Sequence, residues 1–499
     1  MLIFKRFQTQ DVDPPVHTPP AYDDPVSPKS VRSVFAGCAD LIERTVAAGG
    51  TCVAVCVFWL DGTVSNADAA EQVLRPLSDP VRFGGVKTAA DVLARLDAGA
   101  AYGGNMRVTS SLDEVAAAIS FGSCAAVFDG TAVLFELVTA QRRSVQEPTI
   151  EKSVKGSKDA FVESLRVNTG LVRSRLRTPK LKLTQTVVGR KSRTAAAVLW
   201  IDGAASADVA QEVQKRLDAL DVDGLVLPDA VDSALSDAPR SPFPQVIHTE
   251  RPDRLAALLL DGHTALLVEG MPLAFVTPAS LPEFLRTNED GAQHFLAASL
   301  LRLLRWSALF LSLLLPALYL AMAMYHAEML PTELLLSVID SKQSVPFSTT
   351  TEILGMLLSF ELIQEAGLRL PDPVGQTVSI IGALIVGQSA VEAKVISPIA
   401  VIVVALAGIA GYTMPSQDLG TALRLCRFAL AAAGALAGMF GVVLGLALLL
   451  WHLCTMESFG RAYLPAGRDN ALPAVRRRPP WRDTTRDPAL CGGNRRRRA

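Results

Sequence analysis

The sequence predicts an α/β soluble region made of two repeated α/β subdomains, followed by an all-α polytopic transmembrane bundle. Three observations carry this reading. Charges are spread normally through roughly the first 290 residues, whereas from Trp306 onward several uncharged apolar runs reach membrane-spanning length. Sliding the chain on itself exposes an internal repeat at a spacing of about 140 residues within the charged part. Each copy reads as a Val/Ile-rich strand ending in Asp-Gly and then a helical pattern. The mean hydropathy of +0.30 with 19% charged residues averages over these two unlike parts.

Residues 1–30 carry Pro14, Pro15, Pro19, Pro20, Pro25 and Pro28 among polar side chains. With so little to bury, they are expected to be disordered. The segment MLIFKRFQTQDVDPP has no apolar core behind its basic residues and does not read as a secretory signal. A first α/β subdomain is expected over 31–145 and a second over 191–290. Val57–Gly62 (VFWLDG) matches Val198–Gly203 (VLWIDG), and the helical patterns DAAEQVLRPL and DVAQEVQKRL follow. Gly122–Gly130 (GSCAAVFDG) matches Gly262–Gly270 (GHTALLVEG), and Phe135 matches Phe275. An apolar run ending in Asp-Gly is a buried strand entering a tight turn, because glycine supplies the positive φ that such turns need. Residues 146–190 read as a helical connector in which Phe161, Leu165, Leu171 and Leu176 are compatible with a helix, with Arg173, Arg175 and Arg177 as a solvated basic edge or, as the minority reading, a surface for phosphate or for a partner's acids.

The transmembrane domain is expected over 296–464. A first span, 306–325, follows Arg302 and Arg305, so the positive-inside rule starts it in the cytoplasm, and Pro316 should kink it. Further spans are expected over 373–391, 395–415 and 428–454. The uncharged run 353–360 is too short to cross a bilayer, so 352–368 reads as a re-entrant or interfacial helix. Four crossings would return the chain to the cytoplasm, in agreement with the Arg-rich tail over 465–499, which is expected to be disordered or to touch anionic headgroups. Small-residue stripes, Gly375, Ser379 and Gly382 in one span and Gly434, Gly438, Gly441 and Gly445 in the last, let helix backbones approach closely.

Seven scattered cysteines form no CxxC pair and read as reduced packing residues. HExxH, GxSxG and Asp-rich cation loops are absent, and the six histidines are dispersed, so no enzyme, cofactor or metal site is expected. No nucleic-acid partner is expected either. The residues that stand out are polar ones within apolar sequence: Glu361 and Glu365, four apart on one helical face, and Gln376, Gln388 and Glu392. A carboxylate at mid-membrane costs roughly 2.5–3.5 kcal/mol, so these residues face a wet cavity, a partner cation or the interface; the functional reading is a cation path.

Four stretches resemble a known family. They are Phe360–Ser416 (FELIQEAGLRLPDPVGQTVSIIGALIVGQSAVEAKVISPIAVIVVALAGIAGYTMPS), Pro242–Asp253 (PFPQVIHTERPD), Glu147–Arg177, which includes FVESLRVNTGLVRSRLR, and Met329–Val338 (MLPTELLLSV). Together they resemble the A-subunit family of spore germination receptors, the GerA family, over roughly residues 50 to 466. The resemblance implies a multi-pass protein of the spore inner membrane, with its N-terminal domain and C-terminal tail in the cytoplasm. It implies partnership with a transporter-like B subunit and a lipoprotein C subunit, a response to nutrients, and homo-oligomers that form an ion-conducting pore. It would place Glu361, Glu365, Gln376, Gln388 and Glu392 along the polar path. Two other readings compete: a non-conducting assembly scaffold, and a sporulation-stage accessory to a dipicolinate channel. A secondary transporter is disfavoured because the membrane part shows no internal repeat.

Overall fold

The computed structural model describes residues 22–101, 105–137, 148, 151, 153, 155–369, 387–465, 475–479, 481, 485–486 and 490–491. The duplication read from the sequence is visible in the topology. The first unit contains α1 (Pro28–Val34), β1 (Leu41–Ala47), β2 (Ala54–Leu60), α2 (Ala89–Asp97), β3 (Met106–Thr109), α3 (Leu112–Phe121), β4 (Ser123–Phe128) and β5 (Thr131–Glu136). Its sheet runs β1-β2-β4-β5-β3, with antiparallel pairing throughout. After α4 (Leu165–Arg175), the second unit repeats the plan with β6 (Leu181–Val188), β7 (Thr194–Ile201), α5 (Ala207–Asp218), α6 (Pro228–Leu235), β8 (Ile247–Thr249), α7 (Pro252–Asp261), β9 (Thr264–Val268) and β10 (Ala274–Thr277). Its order, β6-β7-β9-β10-β8, is the same arrangement strand for strand.

The Asp-Gly turns have the geometry their sequence requires, with φ of 80° at Gly62 and 78° at Gly203. Gly62 also lies against α4, where an added Cβ would sit 2.7 Å from the Arg166 carbonyl oxygen. Alternate strand residues face opposite sides of each sheet. In the first unit, Val55, Val57, Trp59 and Phe135 face a core shared with α2, while Phe58, Leu60 and Leu134 meet α1 and α3. In the second, Val198, Leu266 and Phe275 pack under α5 and α6, while Leu183, Leu199, Leu267 and Val276 meet α4 and α7.

Several boundaries differ from expectation. The second sheet begins at Leu181, because β6 lies inside the stretch read as a helical connector. Order begins before Val31: Val26 is buried, and Ser27 caps α1 in a capping box with Ser30. Of the connector arginines only Arg177 lies on an exposed edge, because α4 is wedged against the first unit and the residues that precede it. Arg173 is buried and grips Asp40 of the first unit through Nε and Nη2 at 2.7 and 2.8 Å. Arg175 pairs with Asp159, and Arg177 lies over the Phe121 ring at 4.0 Å.

The remaining chain is helical: α8 (Phe295–Tyr325), α9 (Thr332–Lys342), α10 (Thr349–Arg369), α11 (Pro398–Tyr412) and α12 (Gln417–Thr455). By length and composition, α8 and α12 qualify as membrane spans. Helix α8 starts before the expected span and contains buried Pro316. The helix read over 352–368 corresponds to α10, which extends it by three residues at the start and one at the end to 21 residues, about 31 Å at 1.5 Å per residue. The expected 395–415 span shortens to α11, 15 residues. Most of the expected 373–391 span, with Gly375, Gln376 and Gly382, lies outside the described residues.

The largest departure is in α12. The expected single crossing over 428–454 is folded back on itself at Gly438, whose φ of 58° and ψ of −141° leave helical space. A Cβ on Gly434 would meet Val442 at 3.1 Å, and one on Gly445 would meet Leu430 at 2.7 Å. In a straight helix, residues 430 and 445 would stand about 22 Å apart. The glycine stripe is therefore the inner seam of a helical hairpin whose two limbs need close backbone approach.

Candidate functional site

The fold brings two groups of polar residues into contact with the helices, one at the base of the bundle and one inside it. At the base, both ends of the α12 hairpin stand on the second sheet unit. His248, in the middle of β8, bonds Asp232 of α6 through Nε2 at 2.7 Å and Asp418, in the first turn of α12, through Nδ1 at 3.1 Å. The imidazole also packs edge-on against Phe275, with centroids 5.2 Å apart. Burial opposes a charge on His248, but hydrogen bonds and attraction from the two carboxylates outweigh it and raise its pKa to about 9. At the other end, His452 shares a 2.9 Å hydrogen bond with Ser241.

The chain after α12 returns into the same unit. Leu281 N donates to Tyr463 O at 2.9 Å, and Arg461 Nη1 donates to buried Glu283 at 2.8 Å. Burial works against the Glu283 charge, but Arg461 and His263 more than compensate and hold its pKa below the usual carboxylate range. One apolar core runs from Leu183, Leu199 and Leu267 of the sheet through Leu309, Met414, Leu419 and Leu423 to Leu453 and Met456 of the helices. The sheet unit and the bundle base are thus packed as one body, and the start of α8 and the end of α12 lie on the same side.

Inside the bundle, Glu361 of α10 is held by two arginines of α12. Arg424 Nη1 reaches Oε2 at 3.2 Å and Arg427 Nη2 reaches Oε1 at 2.5 Å. Arg427 is only 2% exposed, and it lies nine residues beyond Asp418, about 13 Å along the first limb. Beside this cluster, Phe360 and Tyr412 pack edge to face at 5.9 Å. Toward the far end of the bundle, buried Glu352 accepts the Ser397 N–H at 3.1 Å where α11 begins. Its Oε1 has no hydrogen-bond partner among the described residues. At that end the Tyr325 hydroxyl donates to Ala435 O at 2.8 Å, next to the hairpin turn.

Residues 29–489 match the family model described as Bacillus/Clostridium GerA spore germination protein. This chain belongs to the GerA family. Its relatives include "Uncharacterized membrane protein YfkQ" of Bacillus subtilis (strain 168), 35% identical over 95% of this chain and 93% of the relative. "Spore germination protein B1" of the same organism is 34% identical over 85% and 87%, and "Spore germination protein KA" is 33% identical over 87% and 80%. Among solved structures, the N-terminal domain of the A subunit of the Bacillus megaterium spore germinant receptor GerK3 aligns with a TM-score of 0.38 at 22% identity, covering 50% of this chain and 92% of that one.

Within this GerA-family chain, the sequence candidates fall at different levels of the bundle. Glu361 is spent on Arg424 and Arg427. Glu365 is exposed one turn further along α10. Gln388 Nε2 donates to Glu392 Oε1 at 2.9 Å, both exposed, a few residues before Ser397 and hence toward the Glu352 end. Gln376 lies outside the described residues. Arg424 and Arg427 fall in or next to the connection between the spans expected over 395–415 and 428–454, which four crossings starting in the cytoplasm place outside; here they are partners of Glu361 within the bundle. His248 escaped notice because one histidine among six dispersed ones carries no spacing signal. Its place in PFPQVIHTERPD was the only available clue.

Proposed function

We propose that this chain is the A subunit of a spore germinant receptor, a protein of the spore membrane that helps convert a nutrient signal into germination. The observation supporting this reading beyond family membership is the seat of α12 on the second sheet unit through Asp418–His248 and His452–Ser241. A change in the soluble repeats would reach the helices directly through those contacts. In this reading the sheet units and the end of α12 face the cytoplasm, and the chain works beside a transporter-like B subunit and a lipoprotein C subunit. The test is spores whose only copy carries His248→Asn or His452→Ala, exposed to a panel of amino acids and sugars. Loss of the ion-release response at normal protein level supports coupling through the seat, and a wild-type response from both variants refutes it.

The finer mechanism we propose is an oligomeric cation path. Gln388 and Glu392, bonded to each other, are exposed on a single chain, and in lipid such a polar pair needs a wet lumen. Glu361 is withdrawn from that path by its arginines. One observation favours the alternative of a non-conducting scaffold: the most deeply placed of these candidate carboxylates is neutralised internally. Cation flux through liposomes holding the purified protein, alone and with B and C subunits, separates the two. Flux lost in Glu365→Gln or Glu392→Gln supports conduction, and no flux in any combination supports the scaffold or the dipicolinate-accessory role.

A further inference from the structure

The first turns of α8 carry two adjoining surfaces of opposite character. Arg302 Nε and Arg305 Nη1 converge on one oxygen of buried Asp290, at 3.0 and 2.9 Å. Arg305 is further fixed by Leu285 O and Thr287 Oγ1, each at 3.1 Å. A third guanidinium arrives from beyond the last helix, where Arg477 donates to the carbonyls of Asp290, Gly291 (3.0 Å) and Gln293 (2.7 Å). Its backbone N–H bonds Ser299 Oγ at 2.9 Å, which fixes this segment against α8. Arg476 and Arg478 beside it are exposed. Even counting Arg286 and Glu289, which flank the cluster, positive charge exceeds negative. Among the described residues no further acceptor meets the terminal amino groups of Arg302.

Next to these arginines, Leu296, Leu300, Leu303 and Leu304 form one stripe, 63%, 67%, 51% and 55% exposed. Arg302 lies about 100° around the helix from the stripe, with Ser299 between them. At the edge, exposed Trp481 stands edge-on against Phe295 at 5.6 Å, an amphipathic ring suited to a headgroup boundary. A basic fork beside an exposed leucine stripe fits a molecule that is anionic at one end and apolar along its length.

We infer that the base of α8 binds an anionic phospholipid, its phosphate between Arg302 and Arg477 and its chains along the leucine stripe. Guanidinium groups take phosphate oxygens in paired hydrogen bonds. A free phosphate shares that chemistry, but it has no use for the leucines. The inference rests on α8 entering the membrane, as the proposed function requires.

The test titrates delipidated full-length protein with phosphatidylglycerol or phosphatidylcholine and counts bound lipid by native mass spectrometry. Phosphatidylglycerol is expected to bind at least tenfold tighter than phosphatidylcholine. Arg302→Gln/Arg477→Gln should abolish that preference, Arg302→Lys/Arg477→Lys should retain most of it, and Leu300→Gln/Leu304→Gln should weaken binding several-fold. Equal binding of the two lipids by wild type overturns the site without recourse to any variant, as does an unchanged preference in the glutamine variant. Displacement of the lipid by millimolar inorganic phosphate, with no effect of the leucine changes, overturns the lipid in favour of a free anion. Flotation with phosphatidylcholine vesicles checks the underlying reading separately: a protein that fails to float refutes membrane insertion, whereas one that floats without lipid preference refutes only this site.

Discussion

Replacing Glu361 by Gln tests the internal charge cluster and, with it, whether this carboxylate serves stability or conduction. The substitution preserves shape and removes the charge that faces Arg424 and Arg427. Arg424 is 27% exposed at the side chain and finds compensation in its 2.8 Å bond to Thr421 and in solvent. Arg427 is 2% exposed; its other hydrogen bond, to Ala407 O, is 3.5 Å long, and its Nε has no partner among the described residues. Breaking a buried pair from one side leaves an uncompensated charge and costs about 3–5 kcal/mol. Thermal unfolding of the full-length protein in detergent should therefore show a marked loss of stability for Glu361→Gln, and spores should contain less of the variant. Pairing it with Arg427→Met should restore most of the loss, because the stranded charge is gone, and the double-mutant cycle should show strong coupling. Wild-type stability for Glu361→Gln alone would refute the reasoning and return Glu361 to the list of residues available to an ion.

The His248 clasp predicts a pH dependence. Its folded pKa of about 9 lies above the 6.5 of a free imidazole, so its stabilisation is complete below about pH 6.5 and is lost as the pH climbs through about 9. The full effect is at most about 3 kcal/mol, so the unfolding midpoint of wild type should fall from pH 7 to 9.5 more steeply than that of His248→Gln. Gly438→Val forces a β-branched residue into a backbone region open to glycine and brings its Cβ to 3.0 Å from Tyr325. A loss above about 1–2 kcal/mol is expected, and an unchanged melting curve would argue for a straight α12. The hairpin also predicts that an impermeant maleimide reaches Ala437→Cys only from the membrane face opposite the one that exposes Cys454; labelling of both from one face would contradict it. Asp40→Asn strands buried Arg173 and should lower stability by about 3–5 kcal/mol in thermal unfolding.

The sheet units were legible because their signals are local and doubled: an Asp-Gly turn at the end of an apolar strand reads clearly, and Trp59 and Trp200 recur in matching places. The family was legible from long motifs. The hairpin was not, because a glycine stripe at helical spacing fits two uses equally well, packing against another helix or packing against its own returning limb. Only the backbone at Gly438 distinguishes them. The burial of Arg173 is hidden from the sequence for a related reason: its partner lies 133 residues away in Asp40, a separation that no local pattern records. Glu361 stands out in the sequence as a carboxylate in apolar surroundings, but its pairing with Arg424 and Arg427 is not legible there, because those residues lie 63 and 66 positions away.

Both feet of the α12 hairpin are planted on one plate, the second sheet unit, through His248 and Ser241. A force on that plate therefore does not pry the limbs apart; it tips them together like the tine of a fork. With limbs of about 31 and 25 Å, a rocking of about 5° at the base would carry the Gly438 tip sideways by roughly 2–3 Å. The seam of glycines keeps the tine stiff, so the largest displacement would fall at the end of the bundle farthest from the sheets, where Tyr325 holds the tip and where α10 meets the start of α11 at Glu352.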